Sequence, residues 1–127
     1  MDKTEKRRHW IMSAQAARAL GPPPTGMLSQ PVFTRGTLDI RWYAPPGEDR
    51  QTPHTRDEIY VVAQGRAAFF DGDRHHDLEP GACIFVAAGQ EHRFEALSPD
   101  FAVWVVFYGP EGGEIVSAPD IDAGSDH

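Results

Sequence analysis

Short runs of strand-forming residues, most of them rich in apolar side chains, follow one another along the middle of the chain, and Gly, Pro and Asp separate them at close intervals. There are seven such runs: TLDIRWYA, IYVVAQ, RAAFF, RHHDL, ACIFVA, HRFEAL and FAVWVVFY. Such short runs indicate strands, and the separating residues favour turns. Many short strands spaced by roughly 8 to 12 residues, with almost no helix, are typical of an all-β sandwich or barrel.

The last run, FAVWVVFY at residues 101–108, is apolar on both faces of the predicted strand. Alternation assigns two sets of side chains to opposite faces: Trp104, Val106 and Tyr108 to one, and Phe101, Val103, Val105 and Phe107 to the other. Such a strand is expected between the barrel interior and a second buried surface. Because large apolar patches usually mark interfaces, we expect that surface to be a subunit contact in a homodimer.

A hairpin is predicted where Asp71-Gly72 separates RAAFF from the following strand. Glycine accepts the positive φ that a two-residue hairpin turn requires. His75 and His76 follow this turn and resemble a metal-binding pair, but neighbouring strand residues face opposite sides. We therefore interpret both histidines as solvated hairpin residues.

The two ends of the chain differ in composition from the predicted strands. The segment SAQAARALGPPP supplies Ser13 as a helix N-cap, Gly21 at the C′ position and prolines that prevent continuation. The end of the chain is rich in Gly, Asp and Ser, which favours a mobile or surface-draped segment. These patterns predict an N-terminal arm with one short helix over 1–30, a barrel over 31–109 and a flexible tail over 110–127.

Length and charge restrict the class of protein. The 127 residues fit one domain, and 12 basic against 19 acidic side chains give a net charge of −7. This balance excludes a broad positive surface for nucleic acid or anionic membranes, and no apolar stretch approaches the length of a membrane span. The single cysteine, Cys83, cannot form an internal disulfide, and we expect its thiol to be buried. We expect a soluble, cytoplasmic protein.

Three polar residues, His54, Asp57 and Glu58, stand directly before the apolar run IYVVAQ. They are either a solvated turn or groups that converge on a ligand. On a straight strand His54 and Glu58 would be about 13 Å apart, whereas two ligands of one metal ion each lie ~2 Å from it. A shared ligand therefore requires the chain to turn between them, and Asp57 favours such a turn.

A second histidine, His92, follows a strand bracketed by Gly81 and Gly89. With the earlier segment, it resembles the two motifs of the cupin superfamily, G(x)5HxH(x)3-4E(x)6G and G(x)5PxG(x)2H(x)3N. The first motif is matched one residue short after its first glycine, and the second has alanine at two places. The positions compared are Gly47, Thr52, His54, Glu58 and Gly65 in the first motif, and Gly81, Ala87, Gly89, His92 and Ala96 in the second.

The resemblance covers about half of the chain and implies a small cupin barrel, a double-stranded β-helix of the jelly-roll type. It implies a divalent metal held inside the barrel by His54, Glu58 and His92. Thr52 stands where the first motif histidine belongs, and Gln51 is the nearest neutral oxygen that could supplement the site. Two histidines and one carboxylate favour iron, and zinc, manganese or nickel would also accept these ligands.

Two functions remain open for such a cupin. One is a metal-dependent enzyme that acts on a small polar metabolite as a dioxygenase, isomerase or lyase, with Glu58 as an alternative general base. The other is a non-catalytic module that binds or senses a small molecule at a weakened or absent metal site.

Other polar and aromatic residues receive simpler interpretations. Arg56, Asp57 and Glu91 are expected at the surface of turns. An aromatic set is expected in the core, with Tyr60 and Trp104 as candidates to line the mouth of the cavity. That set is Tyr60, Phe69, Phe85, Phe94 and Trp104.

Overall fold

The computed structural model describes residues 8–116, as one short helix and eight β-strands. The helix, α1, is Ala14–Arg18, and the strands in chain order are β1 Gln30–Arg35, β2 Leu38–Tyr43, β3 Asp57–Gln64, β4 Ala67–Phe70, β5 His75–Leu78, β6 Cys83–Val86, β7 Arg93–Glu95 and β8 Ala102–Tyr108. The predicted all-β fold with a short N-terminal helix is confirmed. Residues 1–7 and 117–127, part of the predicted arm and tail, lie outside the described residues, and the three-part division of the chain stays a prediction.

The strands form two antiparallel sheets. One has five strands in the order β1-β2-β8-β3-β6, and the other has three in the order β5-β4-β7. Strands β8 and β3 lie inside the larger sheet and pair with each other, so both are hydrogen-bonded along their two edges. Side chains from both sheets meet in one buried cluster, as in a jelly-roll barrel: Tyr43, Tyr60, Val62, Ala67, Phe69, Leu78, Val86, Phe94, Phe101, Val103 and Val105.

The outer face of β8 packs against the N-terminal segment of the same chain. Trp104 is paired in register with Trp42, and their rings lie 4.9 Å apart, edge to face. Trp10 meets Trp104 edge-on at 6.4 Å, and the fully buried Ala17 of α1 belongs to the same cluster. The second buried surface predicted for β8 therefore exists, and it is formed at least partly within one chain.

Helix α1 begins and ends close to the predicted residues. The Ser13 hydroxyl accepts a hydrogen bond from the Ala16 N–H at 3.0 Å, as an N-cap does. The C-cap is Ala19, so the C′ residue is Leu20, and Gly21, with φ of +80°, lies one residue beyond the C′ position predicted for it. No helix in the described part of the chain is long and apolar enough to cross a membrane.

Strand β1 is missing from the sequence-based set of strands. Its segment, QPVFTR, contains Pro31, which lacks the N–H of a regular ladder and argues against a central strand. In the structure β1 is an edge strand, and its register with β2 shifts between Pro31 and Phe33. An edge position and a bulge are the two places where a sheet tolerates proline.

The predicted hairpin between β4 and β5 forms, but its turn is displaced by one residue. The Asp71 N–H donates to the Arg74 carbonyl at 3.0 Å, so Gly72 and Asp73 are the central residues. Gly72 has φ of +98°, and the Asp71 carboxylate accepts the N–H groups of Asp73 and Arg74. The side chain of Asp71 thus stabilises the turn that follows it.

Two predictions of burial on β6 are wrong. Cys83 is exposed, and Phe85 keeps 46% of its surface accessible. Strand β6 is the edge of the larger sheet, and its Val86 faces the core while Cys83 and Phe85 face outward. The apolar character of Cys83 and Phe85 did not show that the outer face of this edge strand has little cover.

Close packing explains why residue 65, the last glycine of the first motif, has no side chain, whereas it does not explain the glycine at position 81. A Cβ on Gly65 would lie 2.5 Å from the Phe101 Cα, whereas a Cβ on Gly81 would meet nothing within 4 Å, although both have positive φ.

We expect Gly81→Ala to lower the free energy of unfolding by about 1 to 2 kcal/mol, the cost of the left-handed backbone alone. Gly65→Ala should lower the free energy of unfolding, measured by urea denaturation, clearly more than Gly81→Ala does. Equal decreases for the two variants would contradict the steric explanation.

Candidate metal centre

The chain bends between His54 and Glu58, as a shared ligand requires. Thr55 and Arg56 form the bend, and β3 begins at Asp57. Glu58 is therefore the first inward side chain of a strand paired on both edges, while His54 lies on the preceding loop. His92 lies directly before β7 and is buried.

The three residues bring one ligand atom each to a common point. Their candidate ligand atoms all lie within 4.8 Å of one another. His92 Nε2 is 3.0 Å from Glu58 Oε1, and His54 Nε2 is 3.6 Å from the same oxygen. Two ligands about 2.1 Å from one ion lie roughly 3.0 to 3.4 Å apart at octahedral or tetrahedral angles, so these spacings fit a mononuclear site.

The Glu58 carboxylate is the least satisfied group of this cluster. Its residue has 0% of its surface exposed, and neither carboxylate oxygen has a hydrogen-bond partner. His92 Nε2 lies at ion-pair distance from Oε1, but its geometry is not that of a hydrogen-bond donor. A buried carboxylate without partners is costly, and a bound cation removes that cost. The residues present therefore fit a divalent metal.

The two histidines differ in their electrostatic surroundings. Burial lowers the pKa of His54, which favours the neutral imidazole that binds metals. Burial also opposes the charged form of His92, but the Glu58 carboxylate and the Gln90 carbonyl outweigh it and raise the pKa of His92. His92 Nδ1 donates to the Gln90 carbonyl at 2.8 Å, which leaves Nε2 directed at the centre.

Of the additional candidates, Gln51 and Tyr60 lie at the centre. Gln51 Oε1 is 3.0 Å from His54 Nε2 and accepts from the Tyr60 hydroxyl at 2.9 Å. The Tyr60 hydroxyl is also 2.9 Å from His92 Nε2. Tyr60 is fully buried, so it contacts the centre from within the core and does not lie at the predicted cavity mouth.

Thr52 and Trp104 do not reach the centre. Thr52 is exposed, because the loop directs Gln51 inward and its neighbour outward. Trp104 is paired with Val61 and Trp42 on the outer face of the larger sheet, opposite to Tyr60. The suggestion that Trp104 lines the cavity is therefore wrong, because alternation along β8 directs its side chain away from the core.

Asp57 is buried, contrary to the prediction that it belongs to the surface of a turn. Its Oδ1 accepts the Ala88 N–H and its Oδ2 accepts the Glu114 N–H, each at 2.9 Å. This carboxylate joins three segments at one end of the barrel. Glu91 is exposed and Arg56 half-buried.

The predicted surface histidines stay apart from the centre. His75 contacts Glu95 at 2.9 Å, and His76 contacts Asp71 at 2.8 Å, both in exposed positions. Their interpretation as solvated hairpin residues is confirmed.

Asp49 and Tyr43 were not identified from the sequence, although they support the centre. Asp49 Oδ2 accepts from Gln51 Nε2 at 2.9 Å and from the Phe94 N–H at 2.8 Å. Its Oδ1 accepts from the Gln51 N–H at 3.1 Å and from the Tyr43 hydroxyl at 2.5 Å. An aspartate in a loop often accepts the backbone N–H two residues further on, as in an Asx turn, so Asp49 in EDRQ could have been predicted to fix the backbone of Gln51.

Comparison with known proteins agrees with this geometry. The sequence pattern of the cupin domain family matches residues 41–108, more than half of the chain. The chain belongs to the cupin family. An uncharacterised Streptomyces coelicolor protein is 43% identical over 63 residues, which are 50% of this chain and 60% of that protein. This cupin therefore matches less than two thirds of that relative's length.

Solved structures similar to this cupin show the same fold at low sequence identity. A cupin-2 domain protein of Shewanella frigidimarina has a TM-score of 0.63 and 15% identity, over 78% of this chain and 95% of that one. A candidate mannose-6-phosphate isomerase of Ralstonia eutropha has a TM-score of 0.57 and 24% identity, over 68% of this chain and 91% of that one. At these identities the likeness establishes the fold alone.

All three tyrosines of the chain have a raised pKa. Burial is the largest cause for Tyr43, Tyr60 and Tyr108, and the nearby carboxylates of Asp49, Glu58 and Asp57 add to it. Because the unfolded chain loses its phenol protons near pH 10, their contribution to stability is complete below about pH 10 and is lost as the pH rises further.

We therefore expect tyrosinate absorbance to appear at higher pH in the folded protein than in guanidinium chloride. An alkaline spectrophotometric titration of both states measures this difference. Coincident titration curves would show that the hydroxyls of Tyr43 and Tyr60 are not buried as described.

Proposed function

We propose that this cupin holds one divalent transition metal on His54, Glu58 and His92, and that it is an enzyme acting on a small polar metabolite. The observation that carries the proposal is the fully buried Glu58 carboxylate, which has no hydrogen-bond partner and lies beside two imidazoles. Iron is favoured by a set of two histidines and one carboxylate, while zinc, manganese and nickel also accept it.

A metal at this place would supply Lewis acidity and leave coordination positions open for a small molecule. The side chains around it supply orientation and exclude water. The Phe107 ring lies 4.8 Å from the His54 ring, and Phe69 and Phe94 pack near Tyr60. The reaction types that fit are those of a dioxygenase, an isomerase or a lyase.

Two residues of the centre could act on protons. Glu58, when not engaged by the metal, is a carboxylate that can serve as a general base for a substrate proton within hydrogen-bond reach. The Tyr60 phenol is protonated at neutral pH, as tyrosines ordinarily are, and burial raises its pKa further, so it acts as a hydrogen-bond donor. The base and the donor belong to the same strand, two residues apart on its inner face.

The proposal is tested by the metal content of Glu58→Gln. We expect the wild-type protein, purified without a histidine tag, to contain or take up close to one equivalent of a transition metal. Glu58→Gln should retain less than about a tenth of an equivalent, because the amide brings no negative charge to the ion. Elemental analysis after reconstitution and dialysis measures both.

His76→Ala is the matched control, since it removes an exposed histidine from another part of the surface. It should bind metal as the wild type does. A wild-type protein that takes up no metal on reconstitution would contradict the proposal. Thermal stabilisation of such a protein by a metabolite, without turnover, would instead support the alternative of a non-catalytic binding or sensing module.

We also propose that two copies pair through the outer face of the larger sheet. Five apolar side chains, paired in register, form an outer apolar row across all five strands: Phe33, Ile40, Val106, Ile59 and Phe85. Trp10 stacks on Phe33 at one end, with ring centroids 5.0 Å apart, while Phe85 at the other end is largely exposed. An apolar row with one open end is suited to a subunit contact.

Phe85→Asp should convert a dimer into a monomer at micromolar concentration, because it would bury an unpaired charge in the contact. Sedimentation velocity measures the two species. Ile115→Asp is the control, since that side chain is 99% exposed and lies outside the outer apolar row. A wild-type monomer at this concentration would contradict the dimer.

A cytoplasmic location completes the proposal. The chain has one cysteine, and its thiol is exposed and free. An exposed single thiol is suited to a reducing compartment.

A further inference from the structure

We propose that the side-chain oxygen of Gln51 is the fourth protein ligand of the metal, and that Asp49 is the positioning residue that directs it. This inference rests on the proposed metal site of His54, Glu58 and His92. It assigns the place of the missing motif histidine to the residue before Thr52, whose own side chain is exposed.

The spacing of the oxygen fits a ligand of the same ion. Gln51 Oε1 lies 3.0 Å from His54 Nε2, the separation expected for two neighbouring ligands about 2.1 Å from one ion. Without a metal, a proton on His54 Nε2 joins these two atoms. A cation bound between them replaces that proton.

The Asp49 carboxylate, which can only accept hydrogen bonds, fixes the orientation of the Gln51 amide. Asp49 Oδ2 accepts from Gln51 Nε2, so the nitrogen of the amide faces Asp49 and the oxygen faces the centre. Asp49 Oδ1 also accepts from the Gln51 backbone N–H, which fixes both ends of the residue. The hydroxyl of Tyr43 and the N–H of Phe94 hold the carboxylate itself in place.

Tyr60 is consistent with this arrangement. Its single hydroxyl proton faces two acceptors, Gln51 Oε1 and His92 Nε2, each at 2.9 Å. When His92 Nε2 binds a cation, that nitrogen no longer accepts, and the phenol donates to Gln51. An amide oxygen has two lone pairs, so it accepts from Tyr60 with one and binds the metal with the other.

A neutral oxygen in place of an imidazole changes the preference for metals. Carbonyl and carboxylate oxygens suit harder ions such as Mn²⁺, whereas imidazole suits Zn²⁺ and Ni²⁺. The ligand set of two histidines, Glu58 and Gln51 is therefore expected to bind Zn²⁺ with a smaller advantage over Mn²⁺ than a set with three histidines. Gln51→His should increase that advantage.

The decisive experiment compares Gln51→Leu with Thr52→Ala in the full chain. Affinities for Mn²⁺ and Zn²⁺ are measured by competition with a chromophoric chelator, and the visible spectrum of the Co²⁺ form reports the ligand set. We expect Gln51→Leu to weaken Mn²⁺ binding by about 10-fold or more and to alter the Co²⁺ spectrum. Thr52→Ala should leave both unchanged.

The positioning role of Asp49 needs a test that a general loss of stability would not satisfy. Asp49→Asn should weaken Mn²⁺ binding in the wild-type background by about 10-fold, but should add little in the Gln51→Leu background, where no amide is left to direct. Equal losses in both backgrounds would show that Asp49 acts only on the structure. Far-UV circular dichroism confirms that each variant is folded.

The outcomes separate this inference from the function on which it rests. If the wild type binds metal, Glu58→Gln abolishes binding and Gln51→Leu behaves as Thr52→Ala does, Gln51 is not a ligand and the metal site stands. If the wild type binds none of Fe²⁺, Ni²⁺, Mn²⁺, Zn²⁺ and Co²⁺, both proposals are wrong.

Discussion

The buried charge of Glu58 is the constraint on which the candidate site depends. Transfer of a carboxylate into a protein interior costs on the order of several kcal/mol unless partners compensate it. Glu58 lies on a strand that is hydrogen-bonded on both edges, so its backbone cannot easily move to bring the side chain back to water. A fold that retains such a group without a hydrogen-bond partner has a centre that attracts a cation.

The inner face of the larger sheet changes from polar to apolar in three successive rows of paired residues. The first contains Asp39, Phe107 and Glu58, the second Arg41, Val105 and Tyr60, and the third Tyr43, Val103 and Val62. Arg41 is bound to Asp39 at 3.0 Å within the polar end. This gradient gives one barrel both a packed core and a polar centre, because each strand only needs charged residues near one end.

Most of the fold and part of the candidate site could be predicted from the sequence. Period-two alternation separated the two faces of β8, and the spacing of His54, Glu58 and His92 indicated residues that the structure brings together. Alternation did not show which outer faces have cover, so Phe85 on the edge strand was wrongly assigned to the core. The choice between Gln51 and Thr52 depends on the conformation of a loop, where a period of two does not apply.

Loops carry the histidines of the centre, yet backbone hydrogen bonds tie these loops together. The Gly89 N–H donates to the His54 carbonyl at 2.7 Å, which joins the loop that precedes His92 to the loop that carries His54. The Asp57 carboxylate accepts the N–H of Ala88, which belongs to the loop before His92. The Asp49 carboxylate accepts the N–H of Phe94, just beyond His92. Ligands held in this way lose little freedom when a cation binds, because folding has already fixed their positions. The two aspartates therefore contribute to the centre without touching it, since each accepts N–H groups from the segments that carry its ligands.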